Sequence, residues 1–245
     1  MNPFAIKEVA AYFQKSRILL SGFELDIFTN IDEGGTSGHQ IGGILNLDAH
    51  ACERLLNALV SLGFLKKQDQ LFLNTPESFT FLSKKSPEYL GGLMHTNHLW
   101  NTWSHLTQVV KTGTSAHPAE INERGEDWLV SFITAMHDRA IKQAPQQLAE
   151  IDLTGIKSML DVGGGSGAFS MEFVKRKPGI EAIVFDLPNV VPITIQFIEK
   201  EGFAGKIKTY TGDYTTDDLP TGFDLVFLSA IIHSNSLEVN QQLIN

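Results

Sequence analysis

Leu160-Asp161-Val162-Gly163-Gly164-Gly165-Ser166-Gly167-Ala168 decides the reading of this 245-residue chain. The apolar run Ser158–Val162 has the length of a buried strand, and Phe169–Lys177 carries apolar residues at helical spacing. The glycines between them let the backbone turn tightly and approach a ligand closely. The N–H groups that open the following helix favour an electron-rich ligand. Outward from this junction, Ile180–Phe185, Ile207–Thr211 and Phe223–Ile232 read as three more strands. Val191–Glu201 reads as a second helix, with Gly202 after it. The last strand is apolar on both faces, as in a buried parallel strand. Strand alternating with helix predicts a doubly wound α/β sheet.

Upstream the pattern is helical. Residues 1–30 place Phe4, Val9, Phe13, Leu19 and Phe23 at helix-like spacing, with Gly22 as a break, and a turn follows at Asp32–Gly35. A short helix over Ser37–Leu45 precedes a stronger one capped by Asp48, whose stripe is Cys52, Leu55, Leu56, Leu59 and Leu62, ended by Gly63. Phe64–Lys66 and Leu71–Leu73 then form a small hairpin around Lys67–Gln70. Helix, turn, helix and hairpin make a winged-helix outline. Residues 89–112 and 126–150 read as long helices, joined by a loop holding Gly113, Pro118 and Gly125. The expected division is a winged-helix unit over 1–100, linking helices over 101–150, and a ligand-binding α/β domain over 151–245.

Charge narrows the partners. Lysine plus arginine is 19 against 28 acidic residues, a net charge of −9. Nucleic-acid binding needs clustered cations to displace counterions. The second helix of the winged unit instead carries Asp48 and Glu53 beside Arg54, so that unit suits protein contact. Cys52 is the sole cysteine, so the chain cannot form an internal disulfide or a zinc-thiolate site. The charged start, with Lys7, Glu8, Lys15 and Arg17, lacks the apolar core of a signal peptide. The longest apolar stretch, near Leu225–Ile232, is far short of a membrane span. A cytoplasmic protein is expected, with neither nucleic acid nor membrane as partner.

Two cofactors compete for the glycine turn. Gly163-x-Gly165-x-x-Ala168, with Asp186 further on, satisfies a nicotinamide dinucleotide fingerprint. Asp161 argues otherwise. A carboxylate there would repel a pyrophosphate and suits a ligand with a cationic amino-acid end, such as S-adenosylmethionine. Asp161-x-Gly163-x-Gly165-x-Gly167 is the methyltransferase form of the loop. Asp186 can accept ribose hydroxyls. Asp213, after the third strand, can take an adenine amino group, and Tyr214 can lie along the ring. Each acid also has a plain turn reading, but three at the carboxyl ends of successive strands mark the edge where open α/β sheets bind ligands.

The sequence resembles class I S-adenosylmethionine-dependent O-methyltransferases with an N-terminal dimerisation domain, the plant phenolic, acetylserotonin and bacterial natural-product group. The resemblance rests on Leu160–Gly167, Phe185-Asp186-Leu187-Pro188, Gly212-Asp213-Tyr214, the strand Asp224–His233, and Arg54–Gly63 in the winged unit. It implies a homodimer acting on a small, aromatic hydroxyl compound, with S-adenosylmethionine as cofactor. It implies cofactor contacts at Asp161, Gly163, Gly165, Gly167, Asp186, Leu187, Asp213 and Tyr214, acceptor contacts at Phe132 and Met136, and His233 as general base. A base suits a phenol, which is mostly protonated at neutral pH, and typically contributes 10²–10⁴-fold.

The chain departs from that pattern in places. Where many members carry His-Asp-Trp, it has His233-Ser234-Asn235, and the position often held by lysine is Ser229, which leaves that cofactor contact missing or water-mediated. Asn235 with Glu238 reads as a capping box. The 95 residues from Ile151 to Asn245 hold four strands, against the family's seven-stranded sheet. A fragment of a longer protein is therefore expected, poorly stable or inactive alone, with its last strand an exposed edge. His95, His98 and His105 lie near Trp100 and Trp103. His95-x-x-His98 has metal-pair spacing but no nearby carboxylate, so these read as half-buried polar residues and no metal site is expected. The alternatives are carbon or nitrogen methylation, a non-methylating relative, a nicotinamide oxidoreductase, and a winged-helix regulator with a ligand-sensing domain.

Overall fold

A computed structural model describes residues 2–114 and 124–244. The chain divides into two units, Met1–Ala116 and His117–Asn245.

In the first unit, helix α1 (Pro3–Glu24) starts where the Asn2 side chain accepts the Ala5 N–H at 2.9 Å, with Pro3 supplying a helix-ready φ. Its final turns bury Leu20 and Phe23, whereas Phe4, Val9 and Phe13 stay exposed. Strand β1 (Thr36–Ser37) leads into α2 (Gly38–Ile44), begun by a capping box between Ser37 and Gln40. Asp48 caps α3 (Ala49–Ser61) by accepting the Ala51 N–H at 2.8 Å. Strands β2 (Leu65–Gln68) and β3 (Leu71–Asn74) form the hairpin. Phe23, Ile27, Phe28, Ile41, Cys52, Leu56, Leu59 and Phe72 make the core of this winged-helix arrangement. The expected two-stranded sheet has a third member, because β1 pairs with β3, Thr36 opposite Phe72. After α4 (Pro76–Leu82), the helix expected over 89–112 is interrupted at His105, giving α5 (Leu93–Ser104) and α6 (Leu106–Thr112). Pro118, in the expected loop that follows, lies outside the described residues.

The second unit opens with α7 (Glu126–Gln147). Strands β4 (Ser158–Val162), β5 (Glu181–Asp186), β6 (Ile207–Thr211) and β7 (Leu225–Leu228) form one parallel sheet in the order β6-β5-β4-β7. Helix α8 (Ala168–Arg176) connects β4 to β5, and α9 (Val191–Lys200) connects β5 to β6. Met159, Met171, Phe173, Ala182, Val184 and Ile198 are buried between sheet and helices. The Asp224 carboxylate accepts the Lys157 and Ser158 N–H groups at 2.7 and 3.0 Å, tying the entry of β7 to that of β4.

The strand expected over Phe223–Ile232 is shorter, ending at Leu228, and it is not enclosed on both faces. It lies at the sheet edge, and Val226 is 51% exposed. Ala230 breaks it with φ +56, a left-handed conformation that costs a non-glycine residue roughly 1–2 kcal/mol. A 3₁₀ turn at Ile232–Ser234 and helix α10 (Leu237–Ile244) follow. The expected Asn235–Glu238 capping box does not form. Ser236 caps α10 instead, its Oγ accepting the Val239 N–H at 3.3 Å. Asn235 accepts from the Tyr214 hydroxyl at 3.1 Å and donates to Asn240. Among the described residues, no helix is long and apolar enough to cross a membrane, and no group of three or more His, Cys, Asp or Glu side chains could hold a metal ion.

Candidate functional site

The site begins where β4 runs out. Gly163, Gly165 and Gly167 have φ of +66, +57 and +75, values open to glycine at little cost. A Cβ on Gly163 would run into Ile231 Cδ1, because the left-handed Ala230 delivers Ile231 onto the turn. A Cβ on Gly164 would stand 2.8 Å from Asp161 Oδ2 and 3.0 Å from Val184 Cγ1. The loop thus lies directly over the sheet, with no room for side chains at these points.

Four elements brace it. From β5, Asp186 Oδ2 accepts the Gly165 N–H at 2.7 Å, while Oδ1 accepts the Leu187 N–H at 2.8 Å. From α9, the Thr194 hydroxyl donates to the Gly165 carbonyl at 2.5 Å. From α8, the Ser170 hydroxyl donates to Asp161 Oδ2 at 2.7 Å. From α7, His137 Nδ1 lies 3.0 Å from Ser166 Oγ. Thr194, Ser170, Ser166 and His137 were not singled out from sequence. A threonine and a histidine within largely apolar helix faces were the available signals, and their partners lie 29 residues away in the chain.

Asp161 is only 1% exposed, and its Oδ1 has no hydrogen-bond partner among the described residues. Burial pushes its carboxyl up to about 7, opposed by the Ser170 hydrogen bond and reinforced by the Asp186 charge. Asp186 is raised to about 6 by burial, against the pull of the Gly165 and Leu187 N–H groups. Among the described residues, no cation acts on either acid. Two buried carboxyls whose charged forms burial disfavours make this turn a place where a cation is favoured.

The remaining expected residues are distributed around the same sheet edge. Gly212 N–H donates to the Asp186 carbonyl at 3.0 Å, bringing Asp213 next to β5. Asp213 Oδ1 accepts from Thr215, so the turn reading of this acid also holds. Leu187 and Phe132 pack around buried Leu129, Ile133, Val190 and Ile193. Ile133 reaches the glycine turn, within 3.8 Å of a Cβ position on Gly165. Met136 and Phe132, neighbours of His137 and Ile133 on α7, are half-buried. Ser229 is half-buried just past β7, and His233 is exposed on the turn after Ile231.

A parallel sheet carrying a triple-glycine turn and acids at the ends of adjacent strands defines a nucleoside-binding enzyme of the doubly wound α/β class. Residues 103–245 match the family model for the O-methyltransferase domain, and residues 7–84 match the O-methyltransferase dimerisation domain. The chain belongs to the O-methyltransferase family. It is similar to a 3-hydroxy-5-methyl-1-naphthoate 3-O-methyltransferase of Streptomyces sahachiroi, at 28% identity over 99% of this chain and 72% of that protein. It is also similar to the N,N-dimethyltransferase OxyT of Streptomyces rimosus, at 26% identity over 89% of this chain and 66% of that one. The crystal structure of human N-acetylserotonin methyltransferase in complex with SAM superposes with a TM-score of 0.81 at 26% identity, covering 98% of this chain and 74% of that one. The fold class and family expected from sequence are both borne out.

Proposed function

We propose that the chain uses S-adenosylmethionine to methylate a hydroxyl of a small aromatic acceptor, with His233 as general base. The observation that carries this reading is the buried Asp161 carboxyl beneath the glycine turn, with one oxygen unpartnered and no cation beside it among the described residues. An ammonium set against it would satisfy that oxygen and favour its ionised form, whereas a diphosphate would meet like charge. The residues present therefore fit S-adenosylmethionine, which when bound supplies an ammonium and a methyl group activated by sulfonium.

In this reading Gly163, Gly165 and Gly167 permit close backbone approach. Asp186 receives the ribose hydroxyls with Leu187 beside it. Asp213 takes the adenine amino group, Tyr214 lies along the ring, and Ser229 contributes a contact past β7. Phe132 and Met136 line the acceptor's side from α7. His233 accepts the acceptor's hydroxyl proton, and its exposed imidazole is accessible for that task. Alignment of nucleophile and methyl carbon can supply roughly 7–11 kcal/mol of the barrier. Titration calorimetry is expected to register binding of S-adenosylhomocysteine and none of NAD. The reverse pattern would sink the cofactor assignment. The likeness to an N,N-dimethyltransferase favours amine methylation as the second reading, and product analysis with hydroxy- and aminonaphthalenes separates the two.

A homodimer through the N-terminal unit is part of the same reading. Helix α1 exposes Phe4, Ile6, Val9, Tyr12 and Phe13 at 48–82%, and large exposed apolar patches mark interaction surfaces. Sedimentation velocity is expected to show a dimer that dissociates when Val9 and Phe13 are both changed to Asp. A monomeric parent chain would refute this.

A further inference from the structure

Among the braces of the glycine turn, His137 is the one contributed by α7. It is 6% exposed, and its ring stacks on Phe197 with centroids 4.2 Å apart. Burial lowers its pKa from 6.5, against the opposing pull of Glu201 and Asp138 and with a smaller contribution from Lys200. Glu201 Oε1 lies 3.8 Å from Nε2, which favours the proton on Nε2 and leaves Nδ1 as the acceptor. The Ser166 hydroxyl, itself 4% exposed, then donates to Nδ1 across 3.0 Å. Ser166 sits between Gly165 and Gly167, both at positive φ, so its own backbone does little to fix the turn. One helical turn before His137, Ile133 meets Gly165. Helix α7 therefore contacts the loop at two successive turns, once by packing and once by a directional bond.

We propose that His137 is a positioning residue: through Ser166 it fixes the glycine turn to α7, the helix that carries Phe132 and Met136. The link makes the nucleoside subsite and the acceptor-side helix one mechanical unit. Its consequence for cofactor affinity rests on the S-adenosylmethionine reading, whereas its consequence for loop order does not.

Hydrogen exchange of the amides of residues 163–167 in the ligand-free 245-residue chain tests the link directly. A neutral hydrogen bond contributes about 0.5–1.5 kcal/mol, so His137→Phe should speed exchange about 3–10-fold. His137→Asn, whose side-chain amide can still meet Ser166 and does not titrate, should stay within about 3-fold of the parent. Ser166→Ala should speed exchange like His137→Phe, and the double variant should do no more than either alone, since contacting residues are not additive. Effects that multiply in the double variant would overturn the proposal, as would unchanged exchange in His137→Phe. If His137→Phe does not fold, the Asn and Ser166→Ala variants decide, because loosening by Asn equal to that by Ser166→Ala overturns it. S-Adenosylhomocysteine affinities on the same set should follow the same pattern. A parent chain that binds none of it defeats the cofactor reading and leaves the exchange result to judge His137.

Discussion

Asp161→Asn is expected to weaken S-adenosylhomocysteine binding by about 30-fold or more, while stabilising the ligand-free protein at pH 8. The binding loss follows from removing one partner of a buried charge pair, which costs roughly 2–5 kcal/mol. The stability gain follows from burial. The Asp161 carboxyl is raised from 3.8 to about 7, so between those values the folded protein holds a proton that the unfolded chain has released, and above them it carries a buried charge. Stability from this group is fully present below about 3.8 and is lost as pH rises through about 7. Three pH units at 1.36 kcal/mol each make the ionised form about 4 kcal/mol less favourable above that window. Asparagine avoids that cost but leaves an amide short of a partner, at about 1–3 kcal/mol. A net gain of about 1–3 kcal/mol should appear in urea midpoints at pH 8 and shrink towards pH 5. Undiminished binding in the variant would remove Asp161 from the cofactor's ammonium.

On the proposed reading, His233→Ala should slow methyl transfer to a hydroxylated aromatic acceptor by about 10²–10⁴-fold, the usual worth of a positioned base. Cofactor affinity should change by less than about 2-fold, and stability by less than about 0.5 kcal/mol, because the side chain is exposed. Single-turnover kinetics with saturating S-adenosylmethionine isolates the chemical step from binding. An alanine variant as fast as the parent would leave the hydroxyl proton to another group.

Strands β4 and β6 were legible to the residue because apolar residues in one, and β-branched and aromatic residues in the other, run up to a glycine, Gly163 and Gly212. Helix α3 was legible through its Cys52–Leu56–Leu59 stripe and the Asp48 cap. What escaped the sequence depends on tertiary partners. Strand β1 is two residues long and exists only by pairing with β3. The apolar run through Ile231 and Ile232 extended the last strand on paper. No glycine announces the break at Ala230, and the role of Ile231 is to cover Gly163 rather than to continue a sheet. Three adjacent capping residues, Ser234, Asn235 and Ser236, offered three starts for α10, and contact with Tyr214 draws Asn235 away. Of the site, the glycines and the acids were visible because their residue types are unusual at such positions. The braces Thr194, Ser170 and His137 are ordinary residues whose meaning comes from what they touch.

The turn at Ala230 joins two ends of this sheet edge that could otherwise have varied separately. Ile231 walls the glycine loop and is followed two residues later by His233. A mutation that resizes this side chain presses on, or withdraws from, the Gly163 backbone. The residue that precedes His233 by two places is therefore held to a size that the glycine turn tolerates, so the path of the chain after β7 and the shape of that turn can change only together.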